Sequence, residues 1–229
     1  MAATLNKPLR LALIGMSGAG KTYWTKRLAS AGYPAISCDD KIEARLASTL
    51  KGGGFTGING VAAWMGWPDR ESYAERESQY LVEEIFVLDE VLTDLEKNPA
   101  RELVLDTTGS VIHTGNNLLM RLRRRMTVVY LAATAEEQQL LVQRYLEDPK
   151  PVLWRGAFQA KKGEAAEATV ARCYPALIAA RRQSYEALAH CTIAVAGLRE
   201  LAKEAEERKL SEGEVFLEKI RKQLERPRG

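Results

Sequence analysis

Hydrophobic positions along this chain follow two alternating rhythms. Five short apolar runs, at residues 9–14, 33–37, 102–106, 127–131 and 192–195, read as strands buried on both faces. Between them apolar residues recur with a helical period, over 21–31 and at greatest length over about 70–97. Strand–helix alternation of this kind predicts an α/β fold, a five-stranded parallel sheet flanked by helices. No internal repeat interrupts it.

Three segments depart from the rhythm. Residues 51–69, K-G-G-G-F-T-G-I-N-G-V-A-A-W-M-G-W-P-D, combine glycines with Phe55, Trp64 and Trp67. They read as a mobile flap over a ligand, or as an ordered loop whose tryptophans plug the core. Residues 147–174 open with Asp148-Pro149-Lys150-Pro151, which ends the preceding helix, and then gather Lys150, Arg155, Lys161 and Lys162. A basic loop there suits a lid over phosphate, the alternative being plain solvated lysines. Residues 198–229 form a charged tail of helical pattern with a break expected near Gly213, a surface or partner helix.

Chemistry enters between the first strand and the first helix. Gly15 to Thr22 read G-M-S-G-A-G-K-T, a full match to the phosphate-binding P-loop G-x-x-x-x-G-K-[ST], in the strand–loop–helix setting that the motif needs. Glycines let the backbone N–H groups turn inward on phosphate oxygens, and the helix N-terminus adds its dipole. The expected nucleotide contacts are Gly15, Ser17, Gly18, Ala19, Gly20, Lys21, Thr22 and Tyr23, with Lys21 on the β- and γ-phosphates and Thr22 on Mg²⁺. The fold expected is then a three-layer P-loop NTPase domain over 1–229.

Composition narrows the partners. The 229 residues are 46% hydrophobic and 28% charged, ordinary for a chain that buries a core, and a net charge of +3 is too small to argue for nucleic acid. The basic run Arg121 to Arg125 reads as a helix C-terminus, with a nucleic-acid contact as the alternative. Three cysteines without metal spacing suit a reducing cytoplasm, and no stretch is long enough to span a membrane.

Phosphoryl transfer to an alcohol needs carboxylates at strand ends. Asp39-Asp40 follow the second strand, where either could instead cap the next helix. Asp106 closes E-L-V-L-D like a Walker-B aspartate, a metal-side group, ahead of Thr107-Thr108-Gly109-Ser110.

In this order of motifs the chain resembles the shikimate kinase family of P-loop small-molecule kinases. Asp39-Asp40-Lys41-Ile42-Glu43 matches the family's D-x-x-I-E, which implies that Asp39 contacts the acceptor hydroxyl. The turn at Thr108 and Gly109 stands where the family's glycine-rich turn touches substrate, and Lys150-Pro151-Val152-Leu153 where its lid carries R-P-L-L. The resemblance also implies an adenine-side Arg144, an adenine-bordering turn at 194–197, and a substrate-binding Arg181 four residues before Tyr185. Three places depart from the family. Its F-R-x-x-E pattern is matched at Tyr73-Ala74-Glu75-Arg76-Glu77, with alanine for arginine; Ser37 replaces a metal-side aspartate; and the triple glycine of the turn is lost.

The resemblance implies an ATP- and Mg²⁺-dependent kinase acting on a hydroxyl of a small polar metabolite other than shikimate. It would have a helical substrate-binding region over 40–97, a lid over 147–174, and Lys21, Asp39, Asp106 and Lys150 as catalytic groups. A cytoplasmic monomer or homodimer is expected, with no nucleic-acid or membrane partner. The alternatives are a nucleoside or nucleotide kinase and a non-catalytic ATP-binding regulatory module; a motor or translocating ATPase lacks a second module and an arginine finger.

Overall fold

The computed structural model describes residues 8–198 and 200–226. Residues 1–7, and Arg199 and 227–229 of the expected tail, lie outside the described residues. Five strands, β1 (Arg10–Ile14), β2 (Ala35–Ser37), β3 (Leu103–Asp106), β4 (Thr127–Ala132) and β5 (Cys191–Ala194), pair in parallel in the order β2-β3-β1-β4-β5. Each lies within two residues of its expected span. The helices are α1 (Lys21–Ser30), α2 (Cys38–Gly52), α3 (Gly57–Met65), α4 (Tyr73–Lys97), α5 (Asn116–Arg125), α6 (Ala135–Glu147), α7 (Ala166–Leu188), α8 (Leu201–Arg208) and α9 (Glu212–Leu224).

Strand residues alternate between the two faces, as the pleat requires. Ala12, Ile14, Leu105, Val128 and Tyr130 join a core shared with α2 to α7. Leu11, Leu13, Val104, Val129, Leu131 and Ile193 join a second core shared with α1, α8 and α9. The run Arg121 to Arg125 does form a helix C-terminus, that of α5. Arg123 donates to the carbonyls of Ala187, Leu188 and Ala189, satisfying the end of α7 as well. Among the described residues no helix is long and apolar enough to cross a membrane.

The glycine–tryptophan segment is largely helical. Its start extends α2 to Gly52, and α3 takes residues 57–65. Trp64 is buried with Val61 and Met65, so of the two expected readings the core plug describes it.

The tail corrects the sequence reading more strongly. Val215, Phe216, Leu217 and Ile220 are buried, and Trp24 of α1 stacks on Phe216 with centroids 4.4 Å apart. The helical pair forms one face of the protein's own core and is not a detached partner helix. The break near Gly213 is present: it falls at Lys209, which takes a left-handed conformation (φ 54°), before Ser211 and Glu214 form a capping box on α9. Gly213 lies inside α9, where a Cβ would come within 2.8 Å of the Arg27 carbonyl oxygen on α1. The glycine permits a close helix crossing and does not end a helix.

Replacing Gly213 with alanine forces α9 off α1, an overpacking that costs about 1–3 kcal/mol. A thermal melt of Gly213→Ala is expected to show a midpoint lowered by roughly 2–12 °C; an unchanged midpoint would mean the two helices can separate at no cost.

Candidate active site

The sheet order places the loops after β1, β2 and β3 side by side at one end. Leu13 and Ser37 are both in register with Asp106. The P-loop leaves β1, and Gly15, Gly18 and Gly20 all take positive φ. Lys21, only 7% exposed, folds back on its own loop and donates to the carbonyls of Gly15 (3.0 Å) and Met16 (3.1 Å). Burial pushes its ammonium below the usual lysine range, against the pull of Asp106 and then Asp39. Asp106 is buried, and burial raises its carboxyl pKa while Lys21 and then Thr22 pull it down. Gly18 offers its carbonyl to Arg144, 3.3 Å away at the rim of the loop. Ala19 is buried in the second core, and Ser17 lines a cavity beside the loop. The Tyr23 side chain turns away from the loop: its hydroxyl donates to Glu212 on α9.

Asp39 and Asp40 occupy the first turn of α2, but neither caps it. Ser37 does, accepting from the Asp40 N–H at 3.1 Å, so the residue in the place of a metal-side aspartate serves the backbone here. Asp39 accepts from the Tyr80 hydroxyl at 3.0 Å. Burial lifts the Asp39 carboxyl to about 6, opposed chiefly by Lys21. Among the described residues the acidic side chains form no cluster of three able to hold a metal ion by themselves.

Helix α4 supplies two residues that the sequence reading missed. Its buried stripe runs Tyr73, Glu77, Tyr80, Glu84, Val87, Leu88, Val91, Leu92, Leu95. The stripe is apolar where it meets the sheet and polar where it passes the strand ends. Glu84, 2% exposed, accepts from the Thr108 hydroxyl and from the Ser110 hydroxyl, the latter at 2.6 Å. Burial raises its carboxyl to about 7, against the Ser110 and Thr108 hydrogen bonds. The spacing aromatic–x–x–x–Glu occurs three times in α4, at Tyr73/Glu77, Tyr80/Glu84 and Phe86/Glu90. The sequence reading matched the family pattern to the first copy, but the second reaches Asp39 and the Thr108 turn. Leu81 then stands where the pattern has arginine. A polar break in a continuing buried stripe was the signal that could have found it.

Arg181 and Tyr185 of α7 converge on Gly109. Arg181 Nη1 donates to the Gly109 carbonyl at 2.7 Å, and the Tyr185 hydroxyl donates to the same oxygen. Arg181 Nη2 donates to the Leu153 carbonyl in the expected lid. That stretch is anchored at its middle: Val152, Leu153 and Trp154 are buried, and the Tyr73 hydroxyl accepts from the Trp154 N–H at 3.1 Å. Its last part, from Ala166 on, belongs to α7. Lys150 does not lie on the P-loop. It pairs with Asp148 at 2.7 Å and donates to Asn59 of α3. Lys150 and Tyr145 border two neighbouring cavities, one of about 200 Å³ reaching Ser17 and Gly18, the other of about 290 Å³ reaching Trp67 and Asn59.

No family model matches the chain. A shikimate kinase of Paracidovorax citrulli (strain AAC00-1) is 34% identical over 130 residues, 56% of this chain and 58% of that protein. The chain therefore matches rather less than two thirds of the length of this curated relative. The structure of a shikimate kinase from Acinetobacter baumannii in complex with shikimate matches with a TM-score of 0.55 at 26% identity, covering 82% of this chain and 84% of that one. A shikimate kinase from Bacteroides thetaiotaomicron matches with a TM-score of 0.52 at 20% identity, covering 82% and 86%. Its likeness is one of fold. The resemblance to shikimate kinase-like P-loop kinases is thus found in sequence and in fold alike.

Glu84 makes a prediction about stability. Its carboxyl titrates near 4.5 when unfolded and near 7 when folded. Between those pH values the unfolded chain gives up the proton first, so stability falls as pH rises through this window. Below it the effect vanishes, and above it the loss stays constant. At about 1.4 kcal/mol per pKa unit the penalty at neutral pH is on the order of a few kcal/mol. Glu84→Gln keeps partners for Thr108 and Ser110 without the charge. Its melting midpoint is expected to exceed wild type at pH 8, with the gain shrinking towards pH 5; a gain equal at both pH values would rule out ionisation as the cause.

Proposed function

We propose that this shikimate kinase-like chain is an ATP- and Mg²⁺-dependent kinase. It moves the γ-phosphoryl group onto a hydroxyl of a small polar metabolite other than shikimate. The observation that carries this reading is the placement of Lys21 at the end of the P-loop, buried within the electrostatic reach of Asp106 and Asp39 and beside the turn that follows β3. A phosphate cradle and a carboxylate of raised pKa at one sheet end are what transfer between two oxygens requires.

The roles follow from position. Backbone N–H groups of the P-loop hold the phosphates, and Lys21 leaves its own loop carbonyls for the β- and γ-oxygens. Arg144 borders the base side. Thr22 and Asp106 would supply hard oxygen donors for Mg²⁺ at the foot of the P-loop, Thr22 lying close enough to lower the Asp106 pKa. The ion would neutralise charge on the phosphates. Asp39 takes the proton of the acceptor hydroxyl as its oxygen bonds to phosphorus and the bond to the ADP oxygen breaks. Thr108, Gly109 and Arg181 border the acceptor, and Lys150 moves from Asp148 to the transferring group. Leu81 in the arginine place supports an acceptor other than shikimate, because a charged hydrogen bond worth about 1.5–3 kcal/mol is missing there.

A coupled ADP-release screen over polyols, cyclitols, sugars, amino acids and nucleosides tests the reading. One class of acceptor is expected to support turnover, and Lys21→Ala to lower it about 10²–10³-fold. Since Asp39 works deprotonated and titrates near 6, kcat/KM is expected to fall below about pH 6, and Asp39→Asn to abolish most activity. Turnover on nucleosides alone would make this a nucleoside kinase. ATP binding without transfer to any acceptor would favour a regulatory module, and full activity in Lys21→Ala would remove the P-loop from the mechanism.

A further inference from the structure

A groove of about 1040 Å³ lies at the end of the sheet opposite the P-loop. Parallel strands share one direction, so all five begin at this end. Arg10 and Thr127 open β1 and β4, Glu102 and His190 directly precede β3 and β5, and all four line the groove. Five arginines face it: Arg10 of β1, Arg123, Arg124 and Arg125 of α5, and Arg221 of α9. Among the described residues Glu102 is the one carboxylate in the lining, and its Oε1 is taken by the Leu9 N–H at 3.0 Å.

Little in the protein cancels this charge. Among the described residues Arg10, Arg123, Arg124 and Arg221 form no ion pair. Arg10 donates to the carbonyls of Asn98, Pro99 and Arg101, and Arg123 to those that end α7. Neutral oxygens thus hold both side chains in place and leave their charge standing. Arg125 reaches Glu96 at 3.4 Å, but Glu96 already pairs with Arg121 at 3.2 Å. Glu218, one turn before Arg221, is taken by Arg208 at 2.8 Å. Helix C-termini favour cations, and α5 and α9 both end here, which accounts for an arginine at each. That preference acts within the last turn of one helix. It does not gather guanidiniums from a strand and two helices around one concavity.

We propose that this groove binds a small molecule carrying two or more phosphate groups. A guanidinium presents a planar fork of donors that matches phosphate oxygens, and paired forks suit paired phosphates. Arg10 and Arg123 are already fixed, so little side-chain freedom is lost when the ligand arrives. Arg124, Arg125 and Arg221 are exposed and can close on it. One singly charged anion would leave most of the repulsion among the five in place, whereas a polyphosphate offsets it. The charge does not run on as a stripe along which a nucleic-acid backbone could lie. Glu96 bounds it beyond Arg125, Glu218 stands one turn from Arg221, and the whole chain carries only +3. The site is separate from the P-loop and does not depend on the kinase reading.

The chain's two histidines report on the two ends of the sheet. His190 lines the groove, and His113 closes the 3-10 turn Val111–His113 that follows β3 on the P-loop side. The full chain is titrated with inorganic triphosphate, fructose 1,6-bisphosphate or ATP while both imidazoles are followed by NMR. Sulfate and a short single-stranded oligonucleotide serve as comparisons. At least one polyphosphate is expected to shift His190 saturably, about tenfold or more tightly than sulfate does, and added salt to weaken it. The order of the three probes tells whether a nucleotide, a sugar bisphosphate or a bare polyphosphate is preferred. The double variant Arg124→Glu/Arg221→Glu changes two exposed side chains, so its fold is expected to persist while the His190 response weakens about tenfold or more. In Lys21→Ala that response is expected to remain. No saturable shift of His190 with any of the three overturns the proposal, as does an equal affinity for sulfate or an undiminished response in the double variant. Tighter binding of the oligonucleotide than of every small probe would make the groove a nucleic-acid surface instead.

Discussion

The contact between Gly109 and the P-loop governs this end of the molecule. A Cβ on Gly109 would lie 3.2 Å from the Ser17 nitrogen, tighter than backbone and side chain ordinarily come. The carbonyl of Gly109 faces the other way and binds both Arg181 and Tyr185. Arg181 in turn binds Leu153. One residue without a side chain therefore sets the distance between the P-loop and the turn after β3, and the same hydrogen bonds fix where the 148–165 segment rests. The single glycine retained in that turn is the one at which the two loops touch.

Charge at the strand ends is unbalanced in an informative way. Asp39, Glu84 and Asp106 all have carboxyl pKa values raised by burial, while Lys21 is lowered by the same cause. The cations do not fully repay the desolvation of the acids. Such a site is held together by the layers around it, above all by the apolar half of α4 and by the α1–α9 stack. It gives up stability to hold Asp39 and Glu84 near neutral pH, where they can exchange protons.

Much of this was legible in the sequence, and the reasons differ by element. Strands buried on both faces appear as continuous apolar runs, so all five could be placed within two residues. The P-loop is legible because its glycines serve a local backbone geometry. The tail's place in the core was not legible because the residues that receive it, Trp24 and the α1 backbone against Gly213, are distant in the chain. Helix α3 was hidden by the glycines that flank it, although Val61, Trp64 and Met65 carry helical spacing. Glu84 was missed because the same spacing recurs along one helix, and only the packing of α4 across the sheet end chooses among the copies. Arg181 was placed by resemblance; that its guanidinium would be held by carbonyls and no carboxylate could not be read from a one-dimensional pattern.

Trp154 gives the 148–165 segment a thermodynamic character of its own. The indole is 1% exposed and meets Tyr145, Phe158 and Tyr174 edge-on. Withdrawing an aromatic side chain of this size into water costs about 4–6 kcal/mol. An open state that requires it would hold only about one molecule in 10³–10⁴ at equilibrium. Any ligand that must pass beneath this segment then enters and leaves more slowly by that fraction, because only open molecules exchange. A smaller residue at 154 would raise the open fraction, trading occupancy of the closed state for faster exchange.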